Sequence, residues 1–478
     1  MDKLPYPVIV LPGATGTSLR DEYQIPPEPV WSVLGTALSS IDIGLDVGNK
    51  YERVSLHPDD SRYDASEPAR VQPDSVFDIP YKELIQELRY NMAYTADQPV
   101  PVFAFPYDWR QSLENTVPKF DSFVEEVLER TMLIPHYHEY YKNNPKIKPK
   151  VNLVGHSLGG LVITRYLIKH GSKKQRVHKV ATLGTPFRGS FEAAIKLLTG
   201  TAQLDNSNAS SRERKAARMM PSLYQILPTC PHLELDPGSD VVQDVFNPDF
   251  WQPSIVGTLA EYVRLHDSDQ ETRSDPEKSK ARALIIFKAL LNSGKKHQEL
   301  INNLKELETV GLAQDRWLCI VGVDSTTRTG LKISGKQSEK KFELRSDERM
   351  NQWNYNAVTN LADKVKKIVE PQDPRYLTGD GTVPLISAMP PFLQKENIVC
   401  VTPDDFGYWE IQDRILSAQA GFHGILPNMD MLHRLIVRHF RDDLDPHQNT
   451  WGRCVPGVAE NAWQTPFGLK NLRLKVDK

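Results

Sequence analysis

The sequence predicts an α/β fold, a mostly parallel β-sheet with helices on both faces. Three observations carry the prediction. Short β-branched runs at 8–11, 100–105, 151–154, 180–183, 318–323 and 398–401 alternate with longer segments of helical period. The third run passes directly into Gly155-His156-Ser157-Leu158-Gly159 and then into a segment whose Leu158, Leu161, Val162 and Tyr166 share a helical face. Strand, G-x-S-x-G and helix in that order form the nucleophile elbow of an α/β-hydrolase. The composition, 40% hydrophobic and 25% charged over 478 residues, is an ordinary globular mixture that can bury a large core without staples.

Taken in order, residues 1–27 start the hydrolase core with the strand at 8–11. Residues 28–78, rich in proline and aspartate, read as an insertion before the first long helix. The core resumes at 79–190. There Leu84, Ile85 and Leu88 mark one helical face, and Phe120, Phe123, Val124, Val127 and Leu128 mark another. From 191 to 316 the alternation stops, Pro228, Pro231, Pro237 and Pro248 punctuate the chain, and an inserted cap or lid is expected. Within it, the spacing of Ala283, Ile286, Phe287, Leu290 and Leu291, then Leu300, Leu304 and Leu307, predicts a helical pair. The charged stretch 267–282 ahead of it reads as a solvated loop. Residues 317–441 return to the core, and 442–478 form a C-terminal extension.

The formal net charge of -3 gives no electrostatic lever toward nucleic acid, so no nucleic-acid partner is expected. Cys230, Cys319, Cys400 and Cys454 form no CxxC pair or metal-ligand cluster. No metal site is expected, and Cys319 and Cys400, inside apolar runs, read as buried free thiols. Met1-Asp2-Lys3 runs straight toward an apolar strand without a charged leader, h-region and cleavage site. No apolar stretch approaches the roughly 18 to 20 residues of a spanning helix. The expected location is cytoplasmic or at a membrane periphery.

Ser157 is the candidate nucleophile. The elbow needs glycine on both sides because the sharp turn leaves no room for neighbouring Cβ atoms, and the following helix offers N–H groups and a positive dipole end to an oxyanion. Serine is a poor nucleophile until a base takes its proton, so a histidine and a carboxylate should follow downstream. His423, beside Gly424 and ahead of an amphipathic segment, qualifies by position, although alone it would serve packing as readily as catalysis. Asp380, the favoured acid, lies in Thr378-Gly379-Asp380-Gly381-Thr382-Val383-Pro384, a glycine-rich turn that could expose it at a strand end, with a purely structural turn as the alternative. Asp324 also follows an apolar run and competes for the acid's role. His156 reads as a packed neighbour of the elbow, and His433 and His439 as packing or surface residues of the last helix. This chemistry calls for no metal or organic cofactor.

Together these pieces resemble the lecithin:cholesterol acyltransferase family, which includes lysosomal phospholipase A2 and phospholipid:diacylglycerol acyltransferases. The matching segments are Leu11-Pro12-Gly13 with Gly16 and Leu19, Pro106-Tyr107-Asp108-Trp109-Arg110, the elbow, Gly379-Asp380-Gly381-Thr382-Val383, and His423-Gly424. Gly184-Thr185-Pro186-Phe187-Arg188-Gly189-Ser190 and Pro221-Ser222-Leu223-Tyr224-Gln225-Ile226-Leu227-Pro228 extend the likeness, which covers roughly 5–440 and is weakest at about 240–315. The resemblance implies backbone N–H groups of Ala14 and Leu158 as oxyanion donors. It implies a bracing role for the Tyr107–Arg110 run, and a membrane-binding insertion with Trp31, Val33 and Leu34 facing lipid. Packing of Trp31 and Leu34 into the core is the plain alternative. The cysteine pair and leader of secreted members are missing. The resulting expectation is a lipase- or phospholipase-like serine hydrolase of lipid esters with O-acyltransferase capacity. An esterase or deacylase for other esters and a non-catalytic lipid-binding member are the rivals.

Overall fold

The computed structural model describes residues 4–22, 25–31, 71–199, 216–229, 233–235, 239–325, 327–336, 341–345, 379–410, 412–413, 421–455, 458 and 463–472. The chain starts with β1 (Val8–Leu11) and continues into β2 (Thr17–Asp21), β3 (Glu28–Trp31) and β4 (Val71–Val76). These last three form a small antiparallel sheet in the order β3-β2-β4. Helix α1 (Asp78–Asn91) leads to β5 (Val102–Ala104), α2 (Leu113–Met132) precedes β6 (Val151–His156), and α3 (Leu158–Tyr166) precedes β7 (Val177–Leu183). Between β7 and the next core strand lie α4 (Phe191–Thr199), α5 (Pro221–Gln225), β8 (Leu233–Leu235), α6 (Pro253–His266) and α7 (Pro276–Asn303). The chain then runs through β9 (Trp317–Gly322), β10 (Gly330–Ser334), β11 (Lys341–Arg345) and β12 (Ile398–Val401), and ends its core with α8 (Phe422–Ile425) and α9 (Asp430–Arg441).

Each of the six apolar runs contributes a strand to one sheet of order β12-β9-β7-β6-β1-β5, and every neighbouring pair is parallel. Parallel strands are covered on both faces, which is why they read as continuous apolar runs and not as alternating ones. Ile9, Leu11 and Leu153 pack toward α2 and α3, whereas Val8, Val10 and Val154 pack toward α1 and α9. On α9, Met431, Leu432, Leu435 and Ile436 are fully buried, each contributing roughly 1.5–3 kcal/mol. From β1 the chain steps outward to β5; it then crosses back to β6 and proceeds through β7, β9 and β12 in the other direction. The order therefore reverses between β1 and β6. A crevice opens at the carboxyl ends of the strands at such a switch point. This is the α/β-hydrolase fold, and the elbow and the Pro12-Gly13 loop leave the sheet at that crevice.

Two local expectations change. Residues 283–307 are not a helical pair: α7 runs unbroken to Asn303, and the helix packed along it is α6. Ser293 and Gly294, which weaken helix propensity, are tolerated because the Gly294 backbone lies against the Tyr224 carbonyl with no room for a Cβ. The charged stretch 267–282 is largely helical. Asp269 accepts from the N–H groups of Glu271 and Thr272, and Asp275 accepts from those of Glu277 and Lys278. These carboxylates cap a short helix and the start of α7. Cys319 and Cys400 are buried free thiols, burial pushing the Cys319 thiol up to about 12; Cys230 lies outside the described residues. Among the described residues no helix is long and apolar enough to cross a membrane, and no cluster of His, Cys, Asp or Glu could hold a metal.

Candidate active site

Ser157 sits between β6 and α3 with φ 52° and ψ -122°, a backbone conformation that costs a non-glycine residue of order 1–3 kcal/mol. Close packing holds it there. A Cβ at Gly155 would lie 2.7 Å from the Gly160 nitrogen, and one at Gly159 would strike the Leu11 carbonyl. The Ser157 N–H donates to the Leu183 carbonyl at 2.9 Å, tying the elbow to β7.

His423 is the first-turn residue of α8, and its Nε2 lies 2.9 Å from Ser157 Oγ. Its Nδ1 lies 2.6 Å from Asp380 Oδ2. A carboxylate can only accept, so Nδ1 carries the proton toward Asp380 and Nε2 presents its lone pair to the serine hydroxyl. Asp380 Oδ1 accepts from the N–H groups of Thr382 at 3.0 Å and Val383 at 2.7 Å. The Gly379–Pro384 turn thus holds the carboxylate in place with two backbone donors. The turn is itself fixed by the Gly381 N–H, which donates to Thr327 Oγ1 at 2.9 Å, and by the Ser190 hydroxyl, which donates to the Thr382 carbonyl at 2.6 Å. The His423 N–H donates to the Asp380 carbonyl at 2.9 Å, so backbone as well as side chain joins the two.

The loop after β1 approaches the serine from the other side. No hydrogen bond is made by the N–H groups of Ala14 or Leu158 within the described residues. The Tyr107–Arg110 run braces this loop. The Tyr107 hydroxyl donates to the Pro12 carbonyl at 2.8 Å, and Trp109 Nε1 donates to the Thr17 carbonyl at 3.1 Å. Asp108 does not reach the serine or histidine; it takes Arg110 Nε at 2.8 Å and Nη2 at 2.7 Å in a buried fork.

Ser157, His423 and Asp380 are brought together, and all three are buried. Asp324 follows β9 in the left-handed region with φ 65°, and the carboxylate on His423 Nδ1 is that of Asp380. His433 Nε2 donates to the Pro427 carbonyl and His439 Nε2 to that of Val180, both inside α9 packing. The Trp31 backbone pairs with Leu19 at the end of β3; Val33 and Leu34 lie outside the described residues, as does Thr378. Two neighbours of the site were not among the expected site residues. Gly184, at φ 55°, presents its bare α-carbon to the acid–base pair, since a Cβ would lie 2.7 Å from Asp380 Oδ2 and 3.1 Å from His423 Nδ1. Its signal was the Gly-Thr-Pro after a strand. Tyr81 on α1 reaches both Gly13 and His156 and carries no local signature.

A model of the family described as lecithin:cholesterol acyltransferase matches residues 76–388. That stretch holds the Tyr107–Arg110 run, the elbow and Asp380, while Pro12-Gly13-Ala14 and His423 lie outside it. Among solved structures the chain is similar to one described as the crystal structure of the Tle4-Tli4 complex, with 16% identity and a TM-score of 0.46, over 70% of this chain and 78% of that one. No curated protein matches.

Proposed function

The chain belongs to the lecithin:cholesterol acyltransferase family, and from that membership we propose that it is a serine-dependent acyl-ester hydrolase of lipids with O-acyltransferase capacity. The observation that carries the reading is the unbroken line from Ser157 Oγ through His423 to Asp380 at a strained strand–helix turn. Ser157 Oγ attacks the ester carbonyl carbon as its proton passes to His423 Nε2. The carbonyl electron pair moves to an oxyanion held by the N–H groups of Ala14 and Leu158. Collapse breaks the ester C–O bond, and the leaving alkoxide takes the proton from Nε2. Water or an alcohol then attacks the acyl-serine, giving its proton to Nε2, and the proton returns to Ser157 Oγ as the acid or new ester departs. Asp380 holds the tautomer and stabilises the imidazolium throughout.

The substrate side follows from the same reading. Residues 28–78 act as a peripheral membrane-contact insertion, 191–316 as a cap over the acyl site, and 1–27, 79–190 and 317–441 as the catalytic core, with 442–478 appended to it. The test is covalent. A fluorophosphonate probe should label the wild type at Ser157, and Ser157→Ala should lose labelling and turnover of a soluble ester while keeping its melting temperature, since only one hydroxyl is removed. Labelling of that variant at another serine, found by peptide mapping, would sink the assignment.

A further inference from the structure

His156 precedes the nucleophile, is buried and takes no part in the proton transfers above. It is nevertheless one link in a buried chain of hydrogen bonds. The Gly13 N–H donates to Tyr81 Oη at 2.8 Å. Tyr81 Oη lies 2.7 Å from His156 Nδ1, and His156 Nε2 lies 2.9 Å from the His423 carbonyl. The direction of every bond is forced. The His423 carbonyl can only accept, so Nε2 of a neutral imidazole carries the proton and Nδ1 presents a lone pair. Tyr81 must then donate to Nδ1, and its oxygen is left to accept from Gly13. Burial, with the nearby His423 second, lowers the His156 pKa well below the ordinary histidine value, and burial raises that of Tyr81, so both stay neutral. No other arrangement of protons satisfies all four groups.

The chain's ends matter. Gly13 immediately precedes Ala14, whose N–H is aimed at the oxyanion in the reading above, and the carbonyl at the far end belongs to the base itself. We propose that Tyr81 and His156 are positioning residues that lock the oxyanion loop and the base loop to each other across the elbow, so that the Ala14 N–H and His423 Nε2 hold their places around Ser157 together. The elbow supplies a rigid centre, but the segments on either side come from residues some 410 positions apart in the chain. The imidazole rings of His156 and His423 lie 4.9 Å apart at 38°, so a shift of one moves the other. The inference rests on the proposed serine mechanism.

The test uses the full chain, a short soluble ester and fluorophosphonate titration to count competent sites. Tyr81→Phe removes one hydroxyl and leaves the ring. It should lower kcat per titrated site roughly ten- to a hundredfold, as a misplacement of about 1 Å does, with KM changed less than about threefold. His156→Ala should lose at least as much. His156→Gln, whose amide can still donate near the position of Nε2, should recover part of the His156→Ala loss. Because both residues belong to one chain of bonds, the Tyr81→Phe/His156→Ala double variant should be no worse than the poorer single. A merely structural pair would instead lower the melting temperature while kcat per titrated site stayed at the wild-type value, and that result overturns the proposal. So do losses that multiply in the double variant. Ser157→Ala, run in parallel, separates the two claims: if it is inactive while the relay variants are normal, only the relay falls, and if it turns over, the serine mechanism falls and the relay with it.

Discussion

Asp380 accepts three hydrogen bonds through its carboxylate, one from His423 and two from the backbone of its own turn. An asparagine there must aim its NH2 either at the imidazole N–H or at the two backbone donors. The tautomer that leaves Nε2 free is lost, and in serine proteases that loss costs about 10⁴ in kcat. Asp380→Asn is therefore expected to lower kcat on a soluble ester by about three to four orders of magnitude. Asp324→Asn is the control: residue 324 is left-handed, a conformation asparagine accepts readily, and activity within about tenfold of wild type is expected. The reverse outcome would transfer the acid's role to Asp324. A second residue-scale prediction concerns acid. Burial lowers His297 and His439 to about 3, and both ring nitrogens of His297 lack a partner among the described residues. The unfolded chain takes up these protons below about pH 6.5 while the folded chain does not, so stability is full above that pH and declines as pH falls toward 3. Each group contributes a slope of about 1.4 kcal/mol per pH unit. His297→Leu should be neutral or stabilising at pH 7 and should flatten the fall of melting temperature between pH 6.5 and 4.5; an unchanged slope would count against it. Such residues differ sharply in how far sequence exposes them. Ser157 is legible because its turn imposes glycines at fixed offsets. Tyr81 is not, because its partners lie 68 and 75 residues away and no local pattern encodes them.

At the scale of elements, the six parallel strands were readable because burial on both faces leaves an unbroken apolar run. The charged helical segment after α6 was not, because its polar residues outnumber its apolar ones and its helical character is announced only by Asp269 and Asp275 at the caps. The continuity of α7 was not readable either, because its large apolar residues lapse between Leu291 and Leu300. The small β2–β3–β4 sheet carries the element-scale prediction. Its β2–β3 turn holds Ile25, 98% exposed, and Trp31 ends the following strand. A fully solvated isoleucine costs little alone, and on the insertion proposed to contact membrane such an exposed apolar side chain suits an interfacial layer. Replacing Trp31 and Leu34 with serine should weaken binding to phospholipid vesicles severalfold while hydrolysis of a short soluble ester is retained. Parallel loss of both, with a lowered melting temperature, would mean that the two side chains belong to the core.

The whole molecule sets one further outcome, the fate of the acyl group. The proposed site lies at the carboxyl ends of the strands, where the strand order reverses between β1 and β6, and in the proposed reading the stretch between β7 and β9 covers the acyl-serine. Asp236, Asp240, Asp244, Asp267 and Asp269 in that stretch suggest a polar, wet cap that favours water. The structure assigns several of them other work. Asp244 accepts from the Phe246 N–H, Asp267 from the Asp269 N–H and pairs with Arg282, and Asp269 caps a helix; Asp236 lies outside the described residues. Their charge therefore does not decide between water and alcohol. Concentration does, because the same imidazole serves either nucleophile and the acyl-serine partitions by what reaches it. In dilute buffer water is in great excess, and hydrolysis should dominate. On a vesicle carrying a sterol or diacylglycerol, the alcohol is confined to the surface on which the enzyme sits, which raises its effective concentration at the crevice. Labelled phospholipid vesicles should then yield mainly free fatty acid without an acceptor and a rising share of acyl ester as the acceptor fraction increases. Ester exceeding free acid even at low acceptor would require a site that excludes water by construction, and the hydrolase reading would give way to that of a dedicated transferase.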